Sequence, residues 1–416
     1  MESIWYHIDV NSAFLSFEVA DRMRNGESLD IRTIPSVIGG SEAERHGIVL
    51  AKSLPTKKYG ITTGESLMSA RQKCPDLLVI PPNYSMYVQA SKALMQFLRV
   101  YSPNVQQYSI DEAFCEMTGT TSLYGTPVIF AEQLKDMIYE EFGFTVNIGV
   151  SNNKLLAKMA SDFKKPNLVH TLFPWEIKKK MWHLPVQDLF FVGHRTANRL
   201  HQLGISTIGQ LANADRQFLY SNFKSHGNII CNFANGIADD FDKMTVHPIN
   251  KGYGNSITIS YDVTNAETAK SVLLSLTETV GARLRADDAY ISVVAVSIVD
   301  YNFNHSSKQM TLHSATDITK HIYDAACILF DELWNHEPIR QLGVHTSKAI
   351  KNSMYQYSLF DEQDADKLQL LDSAIDQIRE RYGEDAIKRA CFINSKQEHM
   401  AGGLDKAKRT GITKEL

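Results

Sequence analysis

Short apolar runs closed by turn residues alternate with stretches of helical spacing through the first 165 residues. A run starting at Trp5, and others at 31–38, 48–52 and 77–80, predict strands, with Gly39-Gly40 and Pro81-Pro82 as punctuation. Positions 16–23 and 66–73 read as helices, and 84–101 carries the clearest helical period. A hairpin is expected from 105–110 and 113–117, then a helix over 130–142, a strand over 145–150 and a helix over 152–163.

The order β-α-β-β-α-β is ferredoxin-like, with residues from about 20 to 75 inserted near its start. From Pro166 the texture changes to short helices. Residues 192–205 there read as a helix-hairpin-helix, because Gly193 opens a helix and Leu203-Gly204-Ile205 closes it. The backbone N–H groups of such an opening suit a phosphate, which makes Gly193, Arg195 and Thr196 candidate DNA contacts. Glycine-ended helices are common, so this segment alone does not separate a DNA contact from an ordinary turn. Residues 245–350 read as a separate α+β domain, with strands at 255–261, 291–301, 309–312 and 339–345 and helices at 266–286 and 318–334. Beyond it the chain turns polar, except that Gln356-Tyr357-Ser358-Leu359-Phe360 puts two large apolar residues just before Asp361-Glu362. A partner pocket would cover them. Leu368, Leu371, Ile375, Ile378 and Tyr382 trace one helix face, expected to dock onto the chain's own body.

Length and charge narrow the reading. At 416 residues two to four domains are expected. No run approaches the ~18 to 20 apolar residues of a membrane span, and Met1-Glu2-Ser3 leads straight into a strand without a signal-peptide pattern, so a cytosolic protein is expected. Cys74, Cys115, Cys231, Cys327 and Cys391 show no Cys-x-x-Cys spacing, which argues against a zinc site and a disulfide framework. A net charge of −4 excludes a uniformly basic nucleic-acid binder but leaves room for a local track, and Lys154, Lys158, Lys164 and Lys165 against Asp162 supply one.

The candidate chemistry sits in Tyr108-Ser109-Ile110-Asp111-Glu112-Ala113-Phe114. Two adjacent carboxylates at a strand turn suit a hard divalent cation such as Mg²⁺, which takes oxygen ligands and shares them with substrate phosphates. Asp-Glu pairs also occur in plain surface turns. A second strand-end aspartate changes the balance, since two strands could bring Asp9, Asp111 and Glu112 together.

Found together and in this order, three stretches resemble the palm motifs of the Y-family translesion DNA polymerases, most closely the UmuC-like branch of Gram-positive bacteria and their mobile elements. They are His7-Ile8-Asp9-Val10-Asn11, Ser109-Ile110-Asp111-Glu112-Ala113-Phe114 and residues 147–162. Residues 192–205 resemble the family's thumb hairpin, and 356–360 its bacterial sliding-clamp-binding pentapeptide. The resemblance covers roughly residues 1–360 and implies an α+β multidomain fold. A ferredoxin-like palm would span 1–165 with fingers inserted at about 20–75, a helix-hairpin-helix thumb 166–243, an α+β little finger 244–350 and a C-terminal tail 351–416. The implied activity is template-directed, low-fidelity DNA synthesis without proofreading. Two Mg²⁺ ions would be held by Asp9, the carbonyl of Val10, Asp111 and Glu112, and Phe14 would be the steric gate against a 2′-hydroxyl. Lys154, Ser53 and Lys57 would contact the triphosphate, although Leu54 and Lys57 stand where the more widespread pattern has Tyr and Arg. Lys251 joins the DNA-contact candidates. The implied partners are primer–template DNA, a dNTP, the β sliding clamp through Gln356, Leu359 and Phe360, and the small accessory proteins that some relatives require. Two rival readings remain. A catalytically silent DNA- and clamp-binding regulator of the replication fork has no need for three carboxylates and Phe14, and a nucleotide cyclase has no need for the hairpin or the pentapeptide.

Overall fold

The computed structural model describes residues 3–41, 45, 47–239, 241, 250–351, 365–393 and 397–402. Two compact units emerge, residues 1–39 with 49–248 and residues 40–48 with 249–416. The first unit opens with β1 (Trp5–Val10), α1 (Ala13–Arg24), β2 (Ser36–Gly39), β3 (Val49–Lys52), α2 (Leu67–Lys73), β4 (Leu78–Ile80) and α3 (Tyr84–Tyr101). It continues through β5 (Asn104–Gln107), β6 (Glu112–Glu116), α4 (Thr121–Tyr124), α5 (Pro127–Phe142), β7 (Val146–Ser151), α6 (Lys154–Ser161) and β8 (Val169–Thr171).

The main sheet has the order β5-β6-β1-β7-β8, and β2, β3 and β4 form a smaller sheet of their own. Alternation along β1 sets the layers. Tyr6, Ile8 and Val10 enter a core shared with α3 and α5, whereas Trp5 packs on the opposite face with Phe114 and the α6 residues Leu155, Leu156 and Met159. Gly149 on β7 is what lets α6 lie so close, since a Cβ there would stand 1.9 Å from the Ala157 carbonyl oxygen.

In the first unit the strands expected from the sequence differ from the observed ones in three places. The strand expected over 31–38 is a 3₁₀ turn, Ile31–Thr33, capped by Asp30, followed by β2 alone. Pro35, with no N–H to donate, separates the two. The strand expected over 105–110 stops at Gln107, because the N–H groups of Tyr108 and Ser109 both turn back to the Glu112 carbonyl (2.9 and 3.2 Å). Strand β8, parallel to β7, lies in a stretch whose texture predicts short helices.

Short helices follow: α7 (Ile177–Lys180), α8 (His194–Gln202), α9 (Ile208–Ala212), α10 (Arg216–Phe223) and α11 (Ser225–Ala234). Their apolar residues share one core with Phe114 and α6. The hairpin expected at 192–205 is present. Gly204, at φ 80°, donates to the His201 carbonyl (3.0 Å) and Ile205 to that of Leu200 (2.9 Å), the paired closure of a helix that ends on a left-handed glycine.

The second unit contains β9 (Gly254–Val263), α12 (Ala266–Ala286), β10 (Ala289–Asp300), β11 (His305–Thr316), α13 (Thr319–Leu333), β12 (Ile339–Ser347), β13 (Ile350–Lys351) and α14 (Ala365–Tyr382). Its sheet runs β11-β10-β12-β9, antiparallel throughout, with β13 added beside β10. The α12 bounds match the expected 266–286, but the helix is buried on more than its sheet-facing side, since Ser275, Thr277, Glu278 and Thr279 are also buried.

What covers them is the polar region beyond 361. Ala401 donates its N–H to Ser275 Oγ (2.7 Å), and its carbonyl accepts from Thr279 Oγ1 (3.0 Å) and Asn255 Nδ2 (3.0 Å). Helix α14 and the segment after it dock through charge: Arg379 Nη1 lies 2.8 Å from Glu278, Arg389, beyond the helix, approaches the second Glu278 oxygen, and Arg285 pairs with Asp372 and Asp376. This corrects the expected docking face. Leu371, Ile378 and Tyr382 remain 51%, 37% and 66% exposed, because α12 offers buried ionic groups that only the charged side of α14 can satisfy. Among the described residues no helix is long and apolar enough to cross a membrane. Gln356, Leu359 and Phe360 lie outside the described residues.

Candidate active site

Strand register assembles the site. In the antiparallel pairing of β1 with β6, Asp9 stands opposite Glu112 and His7 opposite Phe114. Directly opposed residues share a face, with Cβ atoms about 4.5–5.5 Å apart. Asp111, one residue earlier in the turn, is tied to the end of β1 by the Val10 N–H, which donates to its carbonyl (3.0 Å), while Ser109 Oγ donates to Asp111 Oδ1 (2.6 Å).

The two opposed carboxylates are differently set. Asp9 Oδ2 pairs with Lys165 Nζ at 2.7 Å. Burial pushes its carboxyl up to about 6, Lys165 pulls it back, and the Glu112 and Asp162 charges add to the rise. Glu112 Oε2 holds Lys158 Nζ at 2.8 Å, with His7 Nε2 at 3.5 Å from the same oxygen. Burial alone would raise the Glu112 carboxyl, but His7 and the Lys158 ammonium outweigh it and hold it at about 2. His7 is fully buried, which lowers its own pKa, and its Nδ1 lies 2.7 Å from Ser161 Oγ.

Among the described residues no three carboxylate, imidazole or thiol groups are gathered as a ready metal cluster. The donor chemistry nevertheless fits a hard divalent ion. Asp9, Asp111 and Glu112 offer oxygens only, and Asp9 and Glu112 each already hold a cationic group at 2.7 or 2.8 Å.

Beside them lies a cavity of about 280 Å³ whose lining includes Asp9, Val10, Ser53 and four cations, Arg32, Lys52, Lys57 and Lys165. Such a concentration of positive charge suits a polyphosphate. Lys165 connects the two features, since it lines the cavity and pairs with Asp9. The sequence marked it only as one member of a basic cluster. Arg32 escaped notice because it lay within an expected strand; its guanidinium is aimed by Asp30 (Nη2 to Oδ2, 2.8 Å) and by the Gly143 carbonyl (3.0 Å). Asn11 also lines the cavity, and among the described residues its buried Oδ1 has no hydrogen-bond partner.

Not every expected residue is there. Lys154 is buried with Nζ 4.8 Å over the Trp5 ring and does not line the cavity. The reason is alternation, which puts Trp5 on the face of β1 that α6 covers. Ser53 lines the cavity, but its hydroxyl donates to the Ile34 carbonyl (2.7 Å) and accepts from Ser36 N–H (3.1 Å), so it serves the backbone of the smaller sheet. Phe14, at the start of α1, stacks on Tyr87 (4.7 Å between ring centres) and meets Tyr84 edge-on. Gly193 and Arg195 are exposed and Thr196 half-buried at the N-terminus of α8, and Lys251 is exposed before β9 in the second unit.

The sequence model of the impB/mucB/samB family matches residues 8–162, and that of the family's C-terminal domain matches residues 250–359. The chain is 44% identical over 399 residues to a protein named DNA polymerase IV from Clostridium acetobutylicum, covering 96% of this chain and 100% of that one. It is 34% identical over 405 residues to a DNA polymerase IV from Acetivibrio thermocellus, covering 95% and 99% respectively. Among solved structures it is similar to a Y-family DNA polymerase chimera, with a TM-score of 0.70 at 20% identity, over 84% of this chain and 100% of that one. These similarities do not single out the UmuC-like branch.

Proposed function

Because the chain belongs to the impB/mucB/samB family and is a Y-family translesion DNA polymerase, we propose that Asp9, Asp111 and Glu112 hold its catalytic divalent cations and that the adjoining cavity receives the triphosphate of a dNTP. The observation that carries this reading is the cross-strand pairing of Asp9 with Glu112, beside Asp111 and at the edge of a cavity lined by Arg32, Lys57 and Lys165.

In the reaction the primer 3′-hydroxyl attacks the α-phosphorus of the nucleotide and pyrophosphate leaves. Two bound Mg²⁺ ions would supply charge stabilisation for the attacking and leaving oxygens. The protein's own groups orient the reactants. Asp9 and Asp111 would hold both ions, with the Val10 carbonyl contributing on the nucleotide side and Glu112 on the primer side. Lys165 and Arg32 would fix the departing phosphates together with Lys57, taking the place that the resemblance gives to Lys154 and Ser53. Lysine and arginine act differently there, the first as a point charge and the second as a planar fork. The main sheet with α3, α5 and α6 would be the palm, the smaller sheet the fingers, α7 to α11 the thumb and the second unit the little finger. Gly193, Arg195 and Thr196, with Lys251, would meet DNA phosphates, and Gln356, Leu359 and Phe360 a sliding clamp.

The test is extension of a labelled primer on a short template with Mg²⁺ and each dNTP, wild type against Asp111→Ala. A wild-type chain that binds primer–template yet extends nothing would revive the silent-regulator reading. Two further variants examine the substrate side. Lys165→Ala should raise the dNTP KM by about tenfold or more, as expected for losing a charged hydrogen bond. An unchanged KM would remove Lys165 from the triphosphate site. Phe14→Ala should reduce discrimination against ribonucleotides by about 10- to 100-fold, measured as the ratio of kcat/KM for dNTP and rNTP. If that ratio holds, Phe14 belongs to the Tyr84–Tyr87 aromatic cluster alone.

A further inference from the structure

Lys158 is a buried cation with a single ionic partner among the described residues. It projects from α6, is only 6% exposed, and does not line the nucleotide cavity. Its Nζ lies 5.0 Å from the ring centre of Tyr108 and 5.6 Å from that of Phe190, so two aromatic faces bracket the ammonium. The remaining contact is Glu112 Oε2 at 2.8 Å. His7 Nε2 approaches that same oxygen at 3.5 Å, and among the described residues Oε1 has no protein partner. A lysine confined in this way is costly to bury unless its charge is answered, and aromatic faces answer part of it.

We propose that Lys158 is a positioning residue for Glu112: held between Tyr108 and Phe190, it fixes one carboxylate oxygen and leaves the other for the reaction centre. The inference rests on the polymerase reading for its catalytic consequence, but the contact itself does not. Tyr108 precedes the Asp111-Glu112 turn and Phe190 comes from the helical region after β8, so three separate segments of the first unit define where the ammonium sits. Lys165 contrasts with it, since that residue is shared between Asp9 and the cavity, whereas Lys158 addresses the primer-side carboxylate alone.

The test uses the full chain as Lys158→Met, Lys158→Arg, Glu112→Gln and the double variant Lys158→Met/Glu112→Gln. Groups that orient a metal ligand typically matter by about 10- to 100-fold, so Lys158→Met should lower kcat by that factor. The dNTP KM should stay within about threefold, the pattern for an interaction that matters at the transition state rather than in substrate binding. Lys158→Arg should recover most of the rate, because a guanidinium also reaches Oε2. Thermal melting without metal supplies a readout independent of activity. Lys158→Met should lower Tm by leaving the Glu112 charge unanswered, and adding Glu112→Gln should restore part of the loss. Unchanged kcat in Lys158→Met overturns the proposal, as does a double variant no more stable than Lys158→Met. A rise in dNTP KM with kcat intact also overturns it and assigns Lys158 to the nucleotide. If the wild type extends no primer, the polymerase reading fails while the melting comparison still decides the contact.

Discussion

Asp111→Ala should reduce primer extension below detection on a gel and leave primer–template affinity within about threefold of wild type. The carboxylate sits in the turn before β6, is only partly buried, and among the described residues makes a single side-chain hydrogen bond, to Ser109. The link from the Val10 N–H runs to its backbone carbonyl and survives the substitution. Folding should therefore be little affected. Catalysis should not be spared, because a hard cation takes oxygen ligands and alanine offers none. Stabilising transition-state charge through bound metal is worth several kcal/mol, so a fall of about a thousandfold or more is expected. Binding is measured by fluorescence anisotropy of a labelled primer–template and extension by gel, on the same preparation. Extension that persists within about tenfold of wild type would exclude Asp111 from the metal site.

Glu278→Ala should unfold the second unit at markedly lower temperature. Glu278 is 4% exposed on α12 and answers Arg379 and Arg389 together. Removing one partner of a buried ionic group leaves the other charges uncompensated, a loss of about 3–5 kcal/mol. For a unit of this size that corresponds to a Tm drop of about 6–20 °C, read by calorimetry as a shift in the corresponding transition. The first unit should melt unchanged, since its core shares no residue with this cluster. A shift below about 2 °C would mean that the ionic contacts between α12 and the C-terminal region contribute little.

The same group gives the cluster a pH dependence. Burial alone would raise the Glu278 carboxyl, but the Arg389 and Arg379 charges outweigh it and hold it below the usual carboxylate range. A carboxyl whose folded pKa is depressed contributes stability above its unfolded pKa, near 4.3 for glutamate, and loses that contribution as pH falls through the folded value. Asp317 in the same unit works in the opposite sense, because burial raises its pKa despite the pull of Arg285. Comparison with Glu278→Gln isolates the first effect: the Tm gap between wild type and variant should be wide at neutral pH and close on acidification below about pH 4. A gap independent of pH would show that the loss in Glu278→Gln does not come from the charge.

Much of the site was legible in the chain itself. Asp9 at the end of an apolar run and the Asp111-Glu112 pair at a turn are local features, and local chain preferences place both at strand ends. Helices α3 and α12 occupy the ranges that their periodicity predicts, and Gly204 closes α8 because glycine adopts its left-handed backbone without penalty. Misjudged were elements decided by a single backbone event, such as Pro35 ending the strand before it began, or by pairing with a distant strand, as with β8.

What the sequence alone determined is therefore the inventory: three acidic oxygen donors, a run of lysines beyond β7, an aromatic residue five positions after Asp9, and a charged C-terminal helix. Tertiary structure decided the assignments among equals. Register, not adjacency, made Glu112 rather than Asp111 the partner opposite Asp9. The packing of α6 across one face of β1 turned Lys154 under Trp5 and Lys158 onto Glu112, leaving Lys165 for Asp9 and the cavity. Helix α14 met its neighbours through Asp372, Asp376 and Arg379 rather than its leucines. The physical reason is common to all three. Composition and periodicity reflect interactions within a few residues, whereas the choice among several identical charges depends on which buried counter-charge lies within reach, and that is settled only when segments distant in sequence pack together.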